Sequence, residues 1–197
     1  HVDKRVGNII QTLKDNGLYE NTIIIFAGDN GLAVGQHGLM GKQNVYEHSV
    51  GVPLMIKAAA QHTGKKTADL CYLIDVFPTL CDMLQLPVPQ SVDGISLLSS
   101  LDGKEPVRDY LYYSYMDNQR GISDGTWKLI EYHVNGKRTT QLFNLKNDPW
   151  ERNDLSGQKK YEKTIQRLRE KMAEEQKRTN DTVSYTHLRA HETLSDL

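Results

Sequence analysis

Between Phe26 and Lys42 the sequence reads FAGDNGLAVGQHGLMGK, and this stretch concentrates the residues whose types and spacing could do chemistry. Asp29 and Asn30 offer oxygen ligands, which suit a hard cation such as calcium or magnesium rather than a soft metal. Lys42 carries a compact positive charge able to hold an oxygen of a sulfate or phosphate group. His37 adds an imidazole between them. Glycines separate these residues and let the backbone turn and approach a ligand closely. On spacing alone, Asp29-Asn30-Gly31 also fits a plain turn after a strand.

Position favours chemistry. The run Thr22 to Ala27 is apolar and β-branched in its first half, as expected for a strand covered on both faces, and such strands are usually parallel ones in an α/β sheet. Ligands of open α/β sheets gather at the carboxyl ends of their strands, which is where Asp29 and Asn30 fall. Upstream, Val2, Val6, Ile9, Ile10 and Leu13 recur at helical spacing, and Asn16-Gly17 supplies a stop. Downstream, Asn44 to Ser49 reads as a helical turn and Val52 to Ile56 as a short strand, with Pro53 tolerated near its start. Residues 58–67 form a polar surface loop. Asp75 reads as the cap of a helix holding Pro78 in its first turn and running to about Leu86.

From about Pro106 the pattern changes. Asp109 to Tyr115, Gly125 to Tyr132 and Thr140 to Leu145 are aromatic or β-branched runs separated by Asn, Asp and Gly, the pattern of antiparallel strands. Tyr161, Ile165, Leu168 and Met172 then fall on one face of an amphipathic helix. The last stretch, Thr179 to Leu197, fits no such period and reads as a foreign tail. His187 and His191 lie four apart there, and chance explains the pair. The expected fold is therefore α/β: a partial mixed or parallel sheet with flanking helices over 1–105, a small antiparallel sheet with a C-terminal helix over 106–178, and a non-native or disordered tail over 179–197.

Composition sets the outer bounds. With 197 residues, 38% hydrophobic and 25% charged, the chain can bury one core with a small appendage. A net charge of -1 provides no electrostatic footprint for nucleic acid or membrane. No apolar run is long enough to span a bilayer, and no signal peptide is visible in a sequence that starts at His1. Cys71 and Cys81 make no disulfide framework; on one continuous helix they would stand roughly 15 Å apart, so buried thiols are expected.

A family resemblance runs through these motifs. Asn21 to Phe26, Gly28-Asp29-Asn30-Gly31, Gly35 to Lys42, Val45-Tyr46-Glu47-His48-Ser49 and Val52-Pro53-Leu54 resemble the C-terminal half of the formylglycine-dependent sulfatases of the alkaline phosphatase superfamily. The likeness continues through Ile74 to Leu80, Asp93-Gly94, Trp127 to Ile130 and Leu142 to Glu151. Gly51 departs from the pattern, since many relatives carry an arginine there.

In that family a formylglycine hydrate attacks the sulfur of a sulfate ester, a histidine protonates the leaving group, and a bound calcium and cationic side chains neutralise the sulfate oxygens. The resemblance implies that Asp29 and Asn30 are two metal ligands for Ca2+ (Mg2+ as the variant), that Lys42 binds the sulfate, and that His37 stands close by. Arg120, and beside it His133, are implied substrate contacts from the small sheet. The Cys/Ser-x-Pro/Ala-x-Arg string that would hold the nucleophile is not among these residues. The resemblance places it, the first acidic ligand pair, and an upstream lysine and histidines before His1, so this chain taken alone is expected not to turn over substrate. With two of the ~6–8 oxygen ligands calcium prefers, it is expected to bind metal weakly.

The expected partner is a sulfated small molecule or glycan, and not nucleic acid or membrane. The family implies export to the periplasm, secretion or a lysosomal location. Two alternatives stay open: hydrolysis of a phosphate or phosphonate ester, for which Asp29 and Lys42 would serve equally, and a non-catalytic domain that binds a metal or anion.

Overall fold

The computed structural model describes residues 1–58, 64 and 66–183. In chain order its helices are α1 (Val2–Asp15), α2 (Glu47–Val50), α3 (Val76–Met83), α4 (Leu98–Leu101) and α5 (Glu162–Arg178). Its strands are β1 (Ile24–Ala27), β2 (Ala33–Val34), β3 (Met40–Gly41), β4 (Leu54–Lys57), β5 (Leu111–Tyr115), β6 (Gln119–Ser123), β7 (Trp127–Val134) and β8 (Lys137–Asn144). The mixed α/β class stands, with an antiparallel sheet and a closing helix in the C-terminal part. Among the described residues no helix is long and apolar enough to cross a membrane.

The chain divides into two compact units. The first comprises His1–Asp29, Val52–Ala68 and Tyr72–Val107. Its α1 follows the expected period and ends at Asn16, with Gly17 in the left-handed region at φ 68°. Strand β1 pairs with β4 from Ile24 opposite Lys57 to Ala27 opposite Leu54, and the pairing is antiparallel. This departs from the parallel neighbour expected of β1. An apolar run reports burial and not strand direction, and β1 is only half-buried.

Asp75 does more than cap a helix. It is fully buried, and its carboxylate accepts the Tyr72 N–H at 2.7 Å and the Ile95 N–H at 2.8 Å, tying the start of α3 to a distant loop. Thr79 extends the stitch by accepting the Leu97 N–H at 2.9 Å. Gly94 completes it, since a Cβ there would stand 2.2 Å from the Ile74 carbonyl oxygen. α3 ends at Met83, short of Leu86, with Gln85 at φ 56° turning the chain away.

The second unit comprises Asn30–Gly51, Asp69–Cys71 and the chain from Arg108 onward. Strands β5 to β8 form an antiparallel meander in sequence order. β6 was not visible in the sequence, because Gln119-Arg120-Gly121-Ile122-Ser123 lacks apolar alternation; Gly121 is tolerated where a Cβ would meet the Tyr113 ring at 3.3 Å. On one face Tyr112, Ile122, Leu129 and Leu142 pack with Ile165, Leu168 and Met172 of α5, the helical face expected from the sequence. A second cluster joins Ile130 and Phe143 of the sheet to Val45 and Tyr46. Burying seven and four side chains respectively, these clusters bind both the helix and the Asn30–Gly51 loop to the sheet by apolar contact.

Past Arg178 the chain continues to pack. The Asp181 carboxylate accepts from Arg120 Nε at 2.6 Å, Arg120 Nη2 at 2.9 Å and the Tyr112 hydroxyl at 2.6 Å. Residues as far as Val183 thus belong to the unit, although the sequence reads as foreign from Thr179. His187 and His191 lie outside the described residues, as does part of the 58–67 loop.

Candidate functional site

The Asn30–Gly51 loop is closed on itself before any side chain acts. Gly31 donates its N–H to the Ser49 carbonyl at 2.9 Å, and a Cβ at Gly31 would lie 2.0 Å from the His48 carbonyl oxygen, so only glycine allows this approach. β2 and β3 form a short hairpin, Ala33 opposite Gly41 and Val34 opposite Met40, with Ala33 fully buried. At its tip a 3-10 turn over Gln36–Gly38 holds His37 at φ 53°. A non-glycine residue in that region carries strain, and such strain gathers at functional sites.

Closure brings the expected residues together. Lys42 Nζ donates to Asn30 Oδ1 at 2.9 Å, and Asn30 Nδ2 donates to the Gly31 carbonyl at 2.7 Å. The His37 ring stacks on Tyr46 with centroids 4.0 Å apart and planes at 8°, and its Nε2 donates to the Trp150 carbonyl at 3.1 Å. Asp29 directly precedes Asn30 in the chain and is the last residue of the first unit's opening segment. The two side chains fit a hard cation in kind, being oxygen donors, but not in number. Among the described residues no group of three or more His, Cys, Asp or Glu side chains could hold a metal.

Beneath the loop lies a buried ionic cluster. Lys128 on β7 is fully buried, with Nζ 2.8 Å from Glu47 Oε1 and 3.1 Å from Glu151 Oε1. The first contact is a hydrogen bond, while the second is an ion pair by distance without hydrogen-bond alignment. Glu151 Oε2 accepts the Glu47 N–H at 2.6 Å, and Glu151 itself sits at φ 53°. Burial pushes its carboxyl above the usual range, an effect that Lys128 and the Glu47 N–H oppose without cancelling. The Tyr46 hydroxyl donates to Gln141 Oε1 at 2.7 Å, and burial together with Tyr46 drives the Tyr132 phenol far upward.

Next to this cluster opens a cavity of about 610 Å³, lined by Gln36, His37, His48, Trp150, Glu151 and Arg152 among others. Two of its wall residues, His37 and Glu151, are non-glycine residues in the left-handed region. His48 Nε2 is buried and has no hydrogen-bond partner among the described residues. Burial, then His37, then Lys128 hold its imidazole below the ordinary value, so it is neutral at pH 7.

Arg120 and His133 lie elsewhere. Arg120 is 2% exposed, its guanidinium committed to Asp181 and to the Met116 and Gln119 carbonyls. It occupies a strand position inside the sheet, on β6. His133 is exposed on β7 opposite Arg138. Neither lines the cavity. Sequence reasoning passed over Lys128, His48, Trp150 and Glu151. A signal existed for Lys128, a lone charge inside the apolar run Trp127 to Ile130, and for Trp150 and Glu151, which stand directly after Asp148-Pro149. Both cysteines are thiols; Cys81 is buried as expected, while Cys71 is only half-buried.

Comparison with known proteins supplies a context. Residues 35–178 match the family described as N-sulphoglucosamine sulphohydrolase, C-terminal. The chain is 30% identical over 193 residues to an N-acetylglucosamine-6-O-sulfatase of Bacteroides thetaiotaomicron, covering 91% of this chain and 34% of that protein. It superposes with a TM-score of 0.75 and 28% identity on a structure solved in complex with its substrate D-glucosamine-2-N,6-O-disulfate, covering 92% of this chain and 39% of the other. A phosphonate monoester hydrolase of Agrobacterium radiobacter gives a TM-score of 0.76 at 26% identity, covering 90% of this chain and 39% of that one. The chain thus spans 34% and 39% of the first relatives' lengths.

Proposed function

The chain belongs to the N-sulphoglucosamine sulphohydrolase C-terminal family, and from that premise we propose that it is part of an enzyme that hydrolyses sulfate esters of amino sugars. The observation that carries the reading is the placement of Lys42 Nζ 2.9 Å from Asn30 Oδ1 on one closed loop, an ammonium and an amide oxygen presented side by side. Lys42 holds an oxygen of the sulfate, and His37, pinned to the Trp150 carbonyl, flanks it. Asp29 and Asn30 are the residues of this chain that would hold Ca2+, or Mg2+ in its place, which when bound supplies positive charge opposite the sulfate oxygens. The reading calls for a formylglycine nucleophile, and neither Cys71 nor Cys81 lies in the string that would be converted to one. Export to the periplasm, the cell exterior or a lysosome is part of the same proposal.

The test is turnover by the enzyme that contains this chain, with sulfate, phosphate and phosphonate esters of one alcohol offered in parallel. The sulfate ester is expected to give the highest kcat/KM. Lys42→Ala is expected to lower it by on the order of 10²–10³, the usual cost of removing one charge-stabilising donor. Preference for the phosphonate ester would move the assignment to the second reading, which the likeness to the Agrobacterium hydrolase supports. Asp29→Ala is expected to remove most activity through loss of metal, and near-normal turnover by that variant would overturn the ligand assignment.

A further inference from the structure

Lys42 and His37 stand on the Asn30–Gly51 loop, but the groups that grip the His37 ring are themselves held from far along the chain. We propose that Lys128, Glu47 and Glu151 form a positioning clamp for the sulfate-ester site, fixing the Trp150 carbonyl and the Tyr46 ring so that His37 is set beside the sulfate that Lys42 holds. The clamp rests on the proposed sulfatase reading and adds to it three positioning residues, which act through His37 and not on the substrate.

The links run through neighbours in the chain. The start of α2 has no side-chain cap of its own, and the Glu47 N–H there is taken instead by Glu151 Oε2 at 2.6 Å, from 104 positions away. Lys128 keeps that acceptor in place: its fully buried Nζ lies 3.1 Å from Glu151 Oε1 and donates to Glu47 Oε1 at 2.8 Å, so both carboxylates are anchored to one point on β7. Glu151 directly follows Trp150, whose carbonyl accepts from His37 Nε2 at 3.1 Å. Glu47 directly follows Tyr46, on which the His37 ring stacks at 4.0 Å and whose hydroxyl donates to Gln141. Each clamped residue therefore sits next to one of the two groups that grip His37.

His37 needs that grip. It lies at the tip of a short hairpin with φ 53°, a region that non-glycine residues seldom occupy, and it is exposed, so packing does not hold it. A carbonyl oxygen can only accept, so Nε2 carries the proton and Nδ1 is the ring nitrogen turned to other use. The clamp also accounts for charges placed where they gain little as glue. Desolvation offsets most of the attraction within a buried ion pair, and apolar side chains of the same volume often stabilise as well. What an ion pair adds is one fixed arrangement of the segments it joins.

The test uses the enzyme that contains this chain, isotope-labelled at the histidine nitrogens, with nitrophenyl sulfate as substrate and at a temperature where every variant compared is shown to be folded. The bond to the Trp150 carbonyl slows exchange of the His37 Nε2 proton, so NMR reads its grip directly. Glu151→Ala is expected to lose that signal and to lower kcat/KM by on the order of 10², the usual cost of displacing a group by about 1 Å. Glu151→Gln, which keeps an oxygen for the Glu47 N–H, is expected to restore both. Lys128→Met is expected to behave as Glu151→Ala does, and the double variant Lys128→Met/Glu151→Gln to recover, because an amide needs no counter-charge. Should Lys128→Met not fold, the Glu151 pair decides. An unchanged signal and full turnover in folded Glu151→Ala, or equal loss in Glu151→Gln, overturns the clamp. Lys42→Ala separates the two claims. If it lowers turnover and Glu151→Ala does not, the sulfate site stands and the clamp fails. If Lys42→Ala turns over as the wild type while Glu151→Ala loses the His37 signal, the grip on His37 stands and the sulfate reading fails.

Discussion

Buried Lys128 shows how a single side chain can organise a site without touching a ligand. Its ammonium is fully buried and faces two carboxylates, Glu47 from the loop and Glu151 from the segment that carries Trp150. Removing one member leaves a charge stranded in a dry interior, so Lys128→Met is expected to cost roughly 3–5 kcal/mol, and adding Glu151→Gln to recover part of it. Denaturation midpoints of the single and double variants check this, and a single variant as stable as the wild type would sink it. His48 adds a pH dependence of definite sign. Its folded value lies below the ordinary ~6.5, so on acidification the unfolded chain takes a proton that the folded chain refuses. Stability from this group is full above the ordinary value and is lost as pH falls through the lowered one. Glu151 runs the other way: its raised carboxyl favours the folded state below the ordinary carboxyl value and loses that contribution as pH rises through the raised one. Stability measured between pH 4 and 8 is expected to lose its decline on the acid side of neutrality in His48→Gln. That Lys42, Asn30 and His37 share one loop was legible because they stand close together in the sequence among glycines that let the chain turn. Lys128 and Glu151 left only a faint trace, a lone charge in an apolar run and a place just after Asp148-Pro149, since charged residues normally face water and it is the pleat of β7 that turns Lys128 inward.

The helix α5 and the strands it covers were readable because Ile165, Leu168 and Met172 keep the helical period and β7 and β8 are rich in aromatic and β-branched residues. β6 was not, because its burial rests on Arg120, whose charge is neutralised by a residue 61 positions away. Nothing local in Gln119 to Ser123 announces that partner. The same pair sets where the element ends. Arg120 and Asp181 side chains are 3% and 13% exposed, and although burial alone would raise the Asp181 carboxyl, the Arg120 and Tyr112 hydrogen bonds hold it below the usual range. Asp181→Ala, or a chain ending at Arg178, is therefore expected to lose roughly 3–5 kcal/mol by removing the carboxylate to which the buried Arg120 guanidinium and the Tyr112 hydroxyl donate. Acidification is expected to act in the same direction, because stability from a lowered carboxyl is present above its ordinary value and disappears as pH falls through the lowered one. A chain ending at Arg178 that melts with the full chain would show that the segment after α5 contributes nothing.

At the scale of the molecule, the two units differ in how much they bury on their own terms. The second holds its sheet between two apolar clusters and secures α5 further through Arg169 Nε, 2.7 Å from the fully buried Glu131. In the first, α1 has no buried residue, with Val2 and Ile9 68% and 62% exposed, and β1 has β4 as its partner and only partial cover. The sequence made the apolar stripe of α1 plain but could not say what covers it. Local opening free energy follows buried apolar contact, so the units are expected to separate in native-state hydrogen exchange. Amides of β6, β7 and α5 should exchange slowest, near the global limit, while those of α1 and β1 exchange at least about tenfold faster, a gap of roughly 1.4 kcal/mol in opening free energy. An apolar dye should bind the exposed stripe of α1, and replacing Val2 and Ile9 with Ser should reduce that binding without shifting exchange in β6 or β7. Equal protection across α1 and β7 would mean that the units open as one, and the division drawn from their burial would fail.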